Sequence, residues 1–357
     1  MFIMAPSKAD AIIGCVLGTA IGDAIGLCCE GLTRRRQQKL YPTITGPNLW
    51  LGRGMVSDDT EHTCMVAQAL IMSAGQVDIF EQSLARQLKM WLLGLPAGTG
   101  KATAQAVTKL WLGFGVKRSG VFSAGNGPAM RSTIIGVCYG HDATLMVDLV
   151  RVSTCLTHTD PKAEWGAIAV AIAAYMASPQ TRVAPNEYYE ALAQVVGQEA
   201  TELLALVQQA VTFVATGRST EEFAAEIGLS NGVSGYVNHT VPVALYAWLR
   251  HGNDYRAAVL DIVRCGGDTD STAAIVGGII GAAGGKASIP AEWLQSLAEW
   301  PRTINWMEAL GERLAEVCEQ GMPQRALPLS FLGLWFRNVF FLCVVLLHGW
   351  RRLLPPY

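Results

Sequence analysis

Two short acidic segments, far apart in the 357-residue chain, carry the side chains best suited to chemistry. The first is Ser-Asp-Asp-Thr-Glu at residues 57–61, and the second is Gly-Gly-Asp-Thr-Asp-Ser-Thr at residues 266–272. Each comes directly before an apolar run with helical character. Alone, each is typical of a helix cap, because Ser and Asp are preferred capping residues and Asp58 with Glu61 has the spacing of a capping box.

Taken together, the two segments predict a metal site. Four carboxylates on apolar helices are costly to bury without cations, and the nearest basic residues, Arg53 and Arg264, are single charges. Only 16% of the residues are charged, so few other cations are available to compensate them. Oxygen ligands suit Mg²⁺ or Mn²⁺ rather than zinc. If the fold joins the two helix starts, a two-metal site follows.

Further residues could hold a substrate or move a proton. Gly-Asn-Gly-Pro at residues 125–128 leaves backbone N–H groups open to a phosphate or a sugar, although an ordinary turn has the same pattern. His158 is either a hydrogen-bonding core residue or a residue at the edge of the site. Glu30 is either a solvated loop residue or a gate with an acid-base role. Tyr236, in a polar loop, could stack on a base.

The elements that must position these residues are helices. Between Ala9 and Leu27, glycines recur every four residues, so one helix face lacks side chains and another backbone can come close. Membrane helix pairs share this spacing, but the run is short and flanked by charge, which favours a tightly packed buried helix. Among the other predicted helices are Thr60 to Ser73, Pro128 to Tyr139, Pro161 to Ala177, Asn186 to Thr216, Val241 to His251 and Ser271 to Gly285.

These patterns predict an all-α fold. Convincing alternating strands and a 20–50-residue repeat are both absent from the sequence, and the composition does not shift until about Pro323. We therefore expect one helical domain at residues 1–322 and a hydrophobic C-terminal segment at residues 323–357.

Composition excludes several classes of protein. Lys and Arg total 27 and Asp and Glu total 29, so charge gives no basis for nucleic-acid binding. With 51% hydrophobic residues the chain is not disordered. Nine cysteines without a CxxC pair are typical of buried thiols in a reducing compartment, and the N-terminus lacks the features of a secretion signal. A cytoplasmic location is expected.

The C-terminal segment leaves three alternatives open. From Leu329 to Leu347 the only strongly polar residues are Arg337 and Asn338, and the length would suit a bilayer span. An arginine near the middle of a span is costly, by about 2.5–3.5 kcal/mol. Residues 329–350 could instead lie in the plane of a membrane surface, or pack on the domain or on a second copy.

The whole set, in this order, resembles the ADP-ribosylglycohydrolase family. The motifs that carry the resemblance are the Gly-Asp-Ala-x-Gly helix, Ser-Asp-Asp-Thr, Gly-Asn-Gly-x-Ala-Met-Arg, Thr-His-x-x-Pro and Gly-Gly-Asp-Thr-Asp-Ser. They span about Ala9 to Cys318, most of the chain. A chance match to all five is far less probable than a match to any one of them.

The resemblance implies a compact orthogonal helical bundle around a binuclear Mg²⁺ or Mn²⁺ centre, with the hydrophobic C-terminal helix as an addition. It implies that substrate lies against Gly125, Asn126, Gly127, Arg131 and His158, and that Glu30 guards the metals; Tyr236 remains a candidate for the base. The metal ligands implied by the motifs are Ser57, Asp58, Asp59, Asp268, Asp270 and Ser271.

The implied activity is hydrolysis of the N- or O-glycosidic bond between ADP-ribose and a protein side chain or a small acceptor. Such a reaction needs an activated water and stabilisation of charge at the anomeric carbon. We expect Glu30, Asp59 and Asp268 among the catalytic residues, with the base left open among the four aspartates. The alternatives are a silent protein that binds ADP-ribose and metal, or a membrane-associated immunity or regulatory protein that opposes an ADP-ribosyltransferase.

Overall fold

The computed structural model describes residues 6–178 and 182–355, and these ranges form nineteen α-helices. In the described ranges, extended pairing is limited to isolated bridges such as Gly125 with Tyr236. The predicted all-α class is confirmed. The helices are α1 Lys8–Gly26, α2 Arg34–Leu40, α3 Asp58–Ser73, α4 Val77–Leu93, α5 Lys101–Trp111, α6 Val116–Ser119, α7 Gly127–Met130, α8 Thr133–Tyr139, α9 Ala143–Cys155, α10 Pro161–Ala177, α11 Pro185–Val196, α12 Thr201–Val214, α13 Thr220–Glu226, α14 Val237–His251, α15 Tyr255–Val263, α16 Thr269–Gly284, α17 Ala291–Ser296, α18 Ile304–Gln320 and α19 Phe331–Arg351.

Two predicted helices are each divided in two. The segment from Asn186 to Thr216 breaks at Gly197, whose φ of 68° is left-handed and ends α11 before α12 begins. The segment from Pro128 to Tyr139 is split into α7, of four residues, and α8. The prediction that both segments are helical was therefore correct. Each helix breaks at a short backbone segment that the spacing of apolar residues does not reveal.

The centre of the molecule is the contact between α1 and α16. A Cβ placed on Gly14, Gly18, Gly22 or Gly26 would lie only 2.1–2.2 Å from a carbonyl oxygen of α16. The carbonyl oxygens that these four Cβ atoms would meet belong, in the same order, to Gly281, Gly277, Ala273 and Thr269. The two helices therefore run antiparallel, with their backbones in contact. The predicted glycine face is thus buried inside the protein.

This antiparallel contact brings the end of α1 beside the start of α16. The Thr269 hydroxyl donates to the Gly26 carbonyl at 2.7 Å. Just beyond, the loop that follows α1 pairs with the loop that precedes α16, because Gly31 N–H donates to the Gly267 carbonyl and Gly267 N–H donates to the Leu32 carbonyl, both at 2.7 Å. Glu30 and the second acidic segment are therefore neighbours.

The start of α3 is fixed to the same place by Asp23 of α1. The Asp23 carboxylate accepts from the backbone N–H groups of Ser57, at 2.9 Å, and Thr60, at 3.2 Å, and from the Thr60 hydroxyl. These N–H groups belong to the first turn of α3, where no intrahelical partner exists. A buried side chain from another helix therefore caps α3 and sets its position.

The C-terminal helix α19 packs on the body through polar contacts. Arg337 forms two 2.7 Å bonds with the buried Glu299, and Asn338 donates to the Gly94 carbonyl at 2.8 Å. By length and composition alone, both α1 and α19 could cross a membrane, but α1 is 83% buried in the protein and α19 only 22%. Packing on the domain thus accounts for one face of α19 and leaves the other exposed.

The α1–α16 contact is tested by Gly22→Ala. Because the added methyl group would meet the Ala273 carbonyl oxygen at 2.1 Å, the helices must separate. We expect a loss of about 3 kcal/mol in the free energy of unfolding, measured by denaturant titration. The control is Gly349→Ala in α19, where a Cβ meets no neighbouring atom within 4 Å and should be neutral or stabilising. Equal stability of Gly22→Ala and wild type would contradict the packing described.

Candidate metal and active site

One cavity of about 310 Å³ collects most of the residues singled out in the sequence. It lies where the end of α1, the start of α3 and the start of α16 meet. The acidic segments, more than 200 residues apart in sequence, both open into it. The predicted site residues that line this cavity are Glu30, Asp58, Asp59, Gly125, Asn126, Gly127, His158, Asp268, Asp270 and Ser271.

Asp59 joins the two acidic segments directly. One of its carboxylate oxygens, Oδ2, accepts from the Ser57 hydroxyl at 3.1 Å and from the Ser271 hydroxyl at 3.2 Å. The other, Oδ1, is buried without a hydrogen-bond partner, and so is Oδ1 of Asp270. Buried carboxylate oxygens without partners are rare, because each loses its hydration without compensation. Two such oxygens in neighbouring carboxylates fit a positively charged ligand.

Burial and mutual repulsion make the charged form of these carboxyl groups costly. Burial first, and then the charges of neighbouring carboxylates, raise the pKa values of Asp58, Asp59 and Asp270 well above their usual range. In the described ranges, none of the four aspartates forms an ion pair with a lysine or arginine. Arg53 donates to the Gln295 carbonyl instead. The basic residue that precedes the first acidic segment therefore has another partner.

The case for a metal ion rests on the kind of ligand atoms present and not on a complete coordination shell. Within residues 6–178 and 182–355, no group of three or more His, Cys, Asp or Glu side chains already surrounds a point where a metal ion could sit. The two acidic segments contribute carboxylate and hydroxyl oxygens to the cavity lining. Such donors suit hard divalent ions, which often keep several waters in their coordination shell.

Glu30 stands at the mouth of the cavity. It is exposed, and its carboxyl group makes a hydrogen bond with that of Asp270. Partial desolvation, followed by the charge of Asp268, raises the pKa of Glu30. A carboxyl group with a raised pKa is suited to carry a proton near neutral pH. Glu30 therefore lines the same cavity as the two acidic segments.

Glu61 and Asp23 have roles other than a capping box. Glu61 does not return to the start of α3 but accepts from Trp91 Nε1 at 2.6 Å and from Arg302 at 2.7 Å. The expected capping box at Asp58 and Glu61 is therefore wrong, because Glu61 belongs to a buried ion-pair network on the other side of the helix. The predicted cap by Ser57 is present, since its hydroxyl accepts from the Asp59 N–H at 3.3 Å, and Asp23 adds its own bonds to the same helix start. Burial raises the pKa of Asp23 to about 6.

Asn126 and His158 both line the cavity, and each has a clear partner. Asn126 Nδ2 donates to Asp268 Oδ2 at 2.7 Å and to the Thr240 hydroxyl at 3.0 Å, so this amide holds Asp268 in place. His158 Nδ1 is 2.9 Å from the Thr157 hydroxyl. Burial and the Arg131 charge lower the pKa of His158 to about 3, which keeps the ring neutral.

The glycines around Asn126 make room for that histidine. A Cβ on Gly125 would lie 2.9 Å from His158 Nε2. The four-residue α7 that follows is too short for its N-terminus to bind an anion as a long helix would. Gly125, Asn126 and Gly127 line the cavity as predicted, beside the imidazole, and binding of substrate by their backbone stays a prediction.

Three predicted site residues do not line the cavity. Arg131 is fully buried, and its guanidinium bonds Ser153 and Thr157, so it supports the His158 loop from behind. This corrects the expectation that Arg131 contacts substrate. The Tyr236 hydroxyl donates to Glu202 at 2.8 Å and accepts from Lys162, which directs the ring away from the carboxylates. Ser57 is buried beneath Asp59.

Sequence reasoning missed one wall of the cavity. The end of the connection between α4 and α5 and the first turn of α5 line it, at Gly98, Gly100 and residues 101–103, which places Lys101 on the cavity wall. Ser123, Met130 and Gly235 complete the lining. The glycines at 98 and 100 predict a loop but give no sign of its neighbours, so only the fold reveals this wall.

A second cavity, of about 390 Å³, is larger but chemically different. It lies between α3, α4 and the segment that leads into α19, and it is lined mainly by apolar side chains such as Met65, Met90 and Leu334. It contains none of the predicted site residues. The convergence of carboxylates therefore identifies the smaller cavity as the candidate active site.

An all-α fold with this acidic centre defines a class of hydrolase. The chain belongs to the ADP-ribosylglycohydrolase family, whose model matches residues 4–324. The match ends before α19 begins.

Several relatives extend this result. An uncharacterized protein of Archaeoglobus fulgidus is 31% identical over 85% of this chain and 95% of its own length. The ADP-ribosyl-[dinitrogen reductase] glycohydrolase of Rhodospirillum rubrum is 26% identical over 82% of this chain and 92% of its own. The ADP-ribosylarginine hydrolase Tri1 of Pseudomonas putida is 26% identical over 88% of this chain and 82% of its own length. A solved structure described as an ADP-ribosylglycohydrolase-related protein complex matches with a TM-score of 0.58 and 25% identity, covering 87% of this chain and 99% of that one.

The carboxylate cluster is tested by Asp59→Asn. Because this change removes a buried, uncompensated charge, the metal-free protein should melt higher, by about 2 °C or more. The rise in melting temperature on adding Mg²⁺ or Mn²⁺ should largely disappear. Differential scanning calorimetry with and without EDTA measures both. Glu312→Gln, at an exposed position of α18, is the matched control and should alter neither. A metal-dependent rise in Asp59→Asn equal to that of wild type would contradict the role given to the cluster.

Proposed function

We propose that this protein is a metal-dependent hydrolase of the glycosidic bond that links ADP-ribose to a protein side chain or a small acceptor. The observation that carries the proposal is the contact between Asp59 and Ser271, which unites the two acidic helix starts around buried oxygens without partners. Family membership and the names of the relatives support ADP-ribosyl hydrolase activity.

Two divalent ions, Mg²⁺ or Mn²⁺, are proposed as cofactors. The residues that would hold them line the cavity: Asp58, Asp59, Asp268, Asp270 and Ser271. Ser57, the sixth residue of the predicted ligand set, lies behind Asp59 and would support that carboxylate through its 3.1 Å bond. When bound, such ions fix sugar hydroxyls and lower the pKa of a water molecule. Because the aspartates must lose their protons first, their raised pKa values imply that metal binding weakens at acidic pH.

The residues of the cavity have separate roles in the proposed reaction. A carboxylate of the cluster accepts the proton of the attacking water, and we favour Asp59 or Asp268 for this step. Asn126 fixes the orientation of Asp268 through its 2.7 Å bond. The neutral His158 forms part of the wall against which the substrate lies. Glu30, at the mouth, closes the site or gives a proton to the leaving group.

The substrate proposal follows the chemistry of the cavity. An ADP-ribose unit carries a diphosphate, and Lys101 lies on the cavity wall where it could meet that charge. The protein partner is an ADP-ribosylated protein or another ADP-ribose conjugate, as the names of the relatives suggest. All nine cysteines are free thiols, which supports a reducing, cytoplasmic setting. We retain residues 1–322 as the catalytic domain and 323–357 as the added segment.

The activity is tested by release of ADP-ribose from ADP-ribosylated arginine and serine peptides in Mg²⁺ or Mn²⁺. We expect release by wild type, and loss of both release and metal binding in Asp58→Ala and Asp268→Ala while circular dichroism stays helical. Full wild-type release in excess EDTA would contradict the metal requirement. Tight ADP-ribose binding without release from any linkage would favour a silent binding protein.

The role of Glu30 is tested by Glu30→Gln. Since the amide cannot donate a carboxyl proton, turnover should fall about 100-fold, as for loss of a general acid or base. The dissociation constant for ADP-ribose, from isothermal titration, should change no more than about threefold. An equal loss in turnover and binding would assign Glu30 to ligand binding alone.

A further inference from the structure

The C-terminal helix α19 buries its two strongly polar side chains beside Phe341 and Val344, while most of its other apolar side chains are exposed. Arg337 and Asn338 face inward and are buried, at 1% and 3% exposure. Arg337 bonds Glu299 and the Val56 carbonyl, and Asn338 bonds Gly94. A surface helix of a soluble protein normally buries its apolar face and exposes its polar one. In α19 the inner polar groups are satisfied by the body of the protein.

The outer face of α19 is apolar along its whole length. Leucine and aromatic side chains are exposed there at helical spacing, and the 21-residue helix is about 30 Å long. A continuous apolar face of this length is larger than the patches that monomeric soluble proteins normally expose. The residues that define the outer face are Leu332 (68% exposed), Phe336 (62%), Leu342 (42%), Leu346 (63%), Leu347 (53%) and Trp350 (65%).

Two loops that border α19 extend the same surface. Leu51 is 84% exposed and Leu95 is 58% exposed. Both have left-handed backbones, with φ of 49° and 54°, a conformation that costs a leucine about 1–2 kcal/mol. Trp50 meets Phe340 of α19 edge-on at 6.3 Å between ring centroids, and Gly94 is bonded by Asn338. Apolar side chains are thus presented to the outside on both flanks of the helix.

The charge at the end of this surface is positive. Residues 321–357 contain four arginines and neither Asp nor Glu. The Arg36 guanidinium of α2 donates to the Arg352 carbonyl, so the Arg-Arg-Arg run at residues 34–36 adjoins the end of α19. Arg35 and Arg351 are both exposed there. An apolar helix face with a basic end complements the acyl region and headgroups of an anionic bilayer.

From this arrangement, we propose that the outer face of α19, together with Leu51 and Leu95, inserts into the interface of an anionic phospholipid membrane, with the helix lying in the membrane plane. A transmembrane orientation would require Arg337 and Asn338 to leave their partners and would strand Glu299 without its cation. Pairing of two copies through α19 would bring two basic, acid-free segments together. Neither alternative fits the contacts as well as a lipid surface.

The proposed membrane contact places the candidate active site beside the lipid. The connection that carries Leu95 continues into Gly98–Thr103, which lines the cavity. Arg352 donates to the Glu30 carbonyl at 2.6 Å and to the Cys28 carbonyl at 2.7 Å. Substrates held at a membrane surface would therefore meet the cavity mouth directly. The membrane proposal itself does not depend on hydrolytic activity.

The test is co-sedimentation of the full chain with vesicles of phosphatidylcholine, alone or with about 30% phosphatidylglycerol. We expect binding to the anionic vesicles that weakens as salt rises. Leu346→Ser with Leu347→Ser should lower the partition coefficient about ten-fold or more, since two exposed leucines leave the lipid. Arg351→Gln should lower it about five-fold on anionic vesicles only.

The matched control is Leu112→Ser with Phe114→Ser, which removes two exposed apolar side chains (72% and 46% exposed) from the α5–α6 connection. This variant should bind vesicles as wild type does. Trp350→Ser gives an independent single change on the outer face, and circular dichroism confirms that each variant is folded.

Several results would overturn the proposal. One is wild-type protein that stays in the supernatant with both kinds of vesicle, and another is an equal loss of binding in the control variant. Sedimentation velocity without vesicles tests for a dimer. If the wild-type protein is a dimer and the double variant Leu346→Ser with Leu347→Ser is a monomer, a second copy covers α19. If the bound protein resists extraction with alkaline carbonate, the helix spans the membrane.

Discussion

The structure depends on one backbone contact, the antiparallel packing of α1 against α16. Because four glycines of α1 lack a Cβ, carbonyl oxygens of α16 occupy the space that a side chain would fill. At such short separation the helices cannot slide or rotate without collision, so their ends are fixed relative to each other. The end of α1 brings Asp23 and Glu30, and the start of α16 brings Asp268 and Asp270. Asp23 then fixes the start of α3, so the whole acidic centre follows from this contact.

The acidic centre works against the stability of the fold. Buried carboxylates that repel one another cost free energy when no cation is present, and the raised pKa values of Asp58, Asp59 and Asp270 express that cost. Two other buried carboxylates have basic partners: Glu61 pairs with Arg302, and Glu299 pairs with Arg337. The aspartates of the cavity form no such ion pair among the described residues. Strain of this kind is typical of a binding site.

The sequence allowed the helical class, the glycine face of α1 and the two acidic segments to be predicted, because each rests on local spacing. It did not allow their neighbours to be predicted. Arg131 lies in a family motif, yet its contacts with Ser153 and Thr157 depend on how α9 folds back. The cavity wall at Gly98–Thr103 and the inward face of α19 likewise depend on long-range packing, which residue patterns do not encode locally.

The central claim is that the two acidic helix starts hold divalent ions between them. The most direct measurement is anomalous X-ray scattering from crystals grown with Mn²⁺, collected at the manganese absorption edge. The account predicts two manganese peaks in the cavity, within coordination distance of oxygens from both Asp58–Asp59 and Asp268–Asp270. Well-ordered density for these side chains with no manganese peak among them, or a peak only elsewhere on the protein, would contradict it.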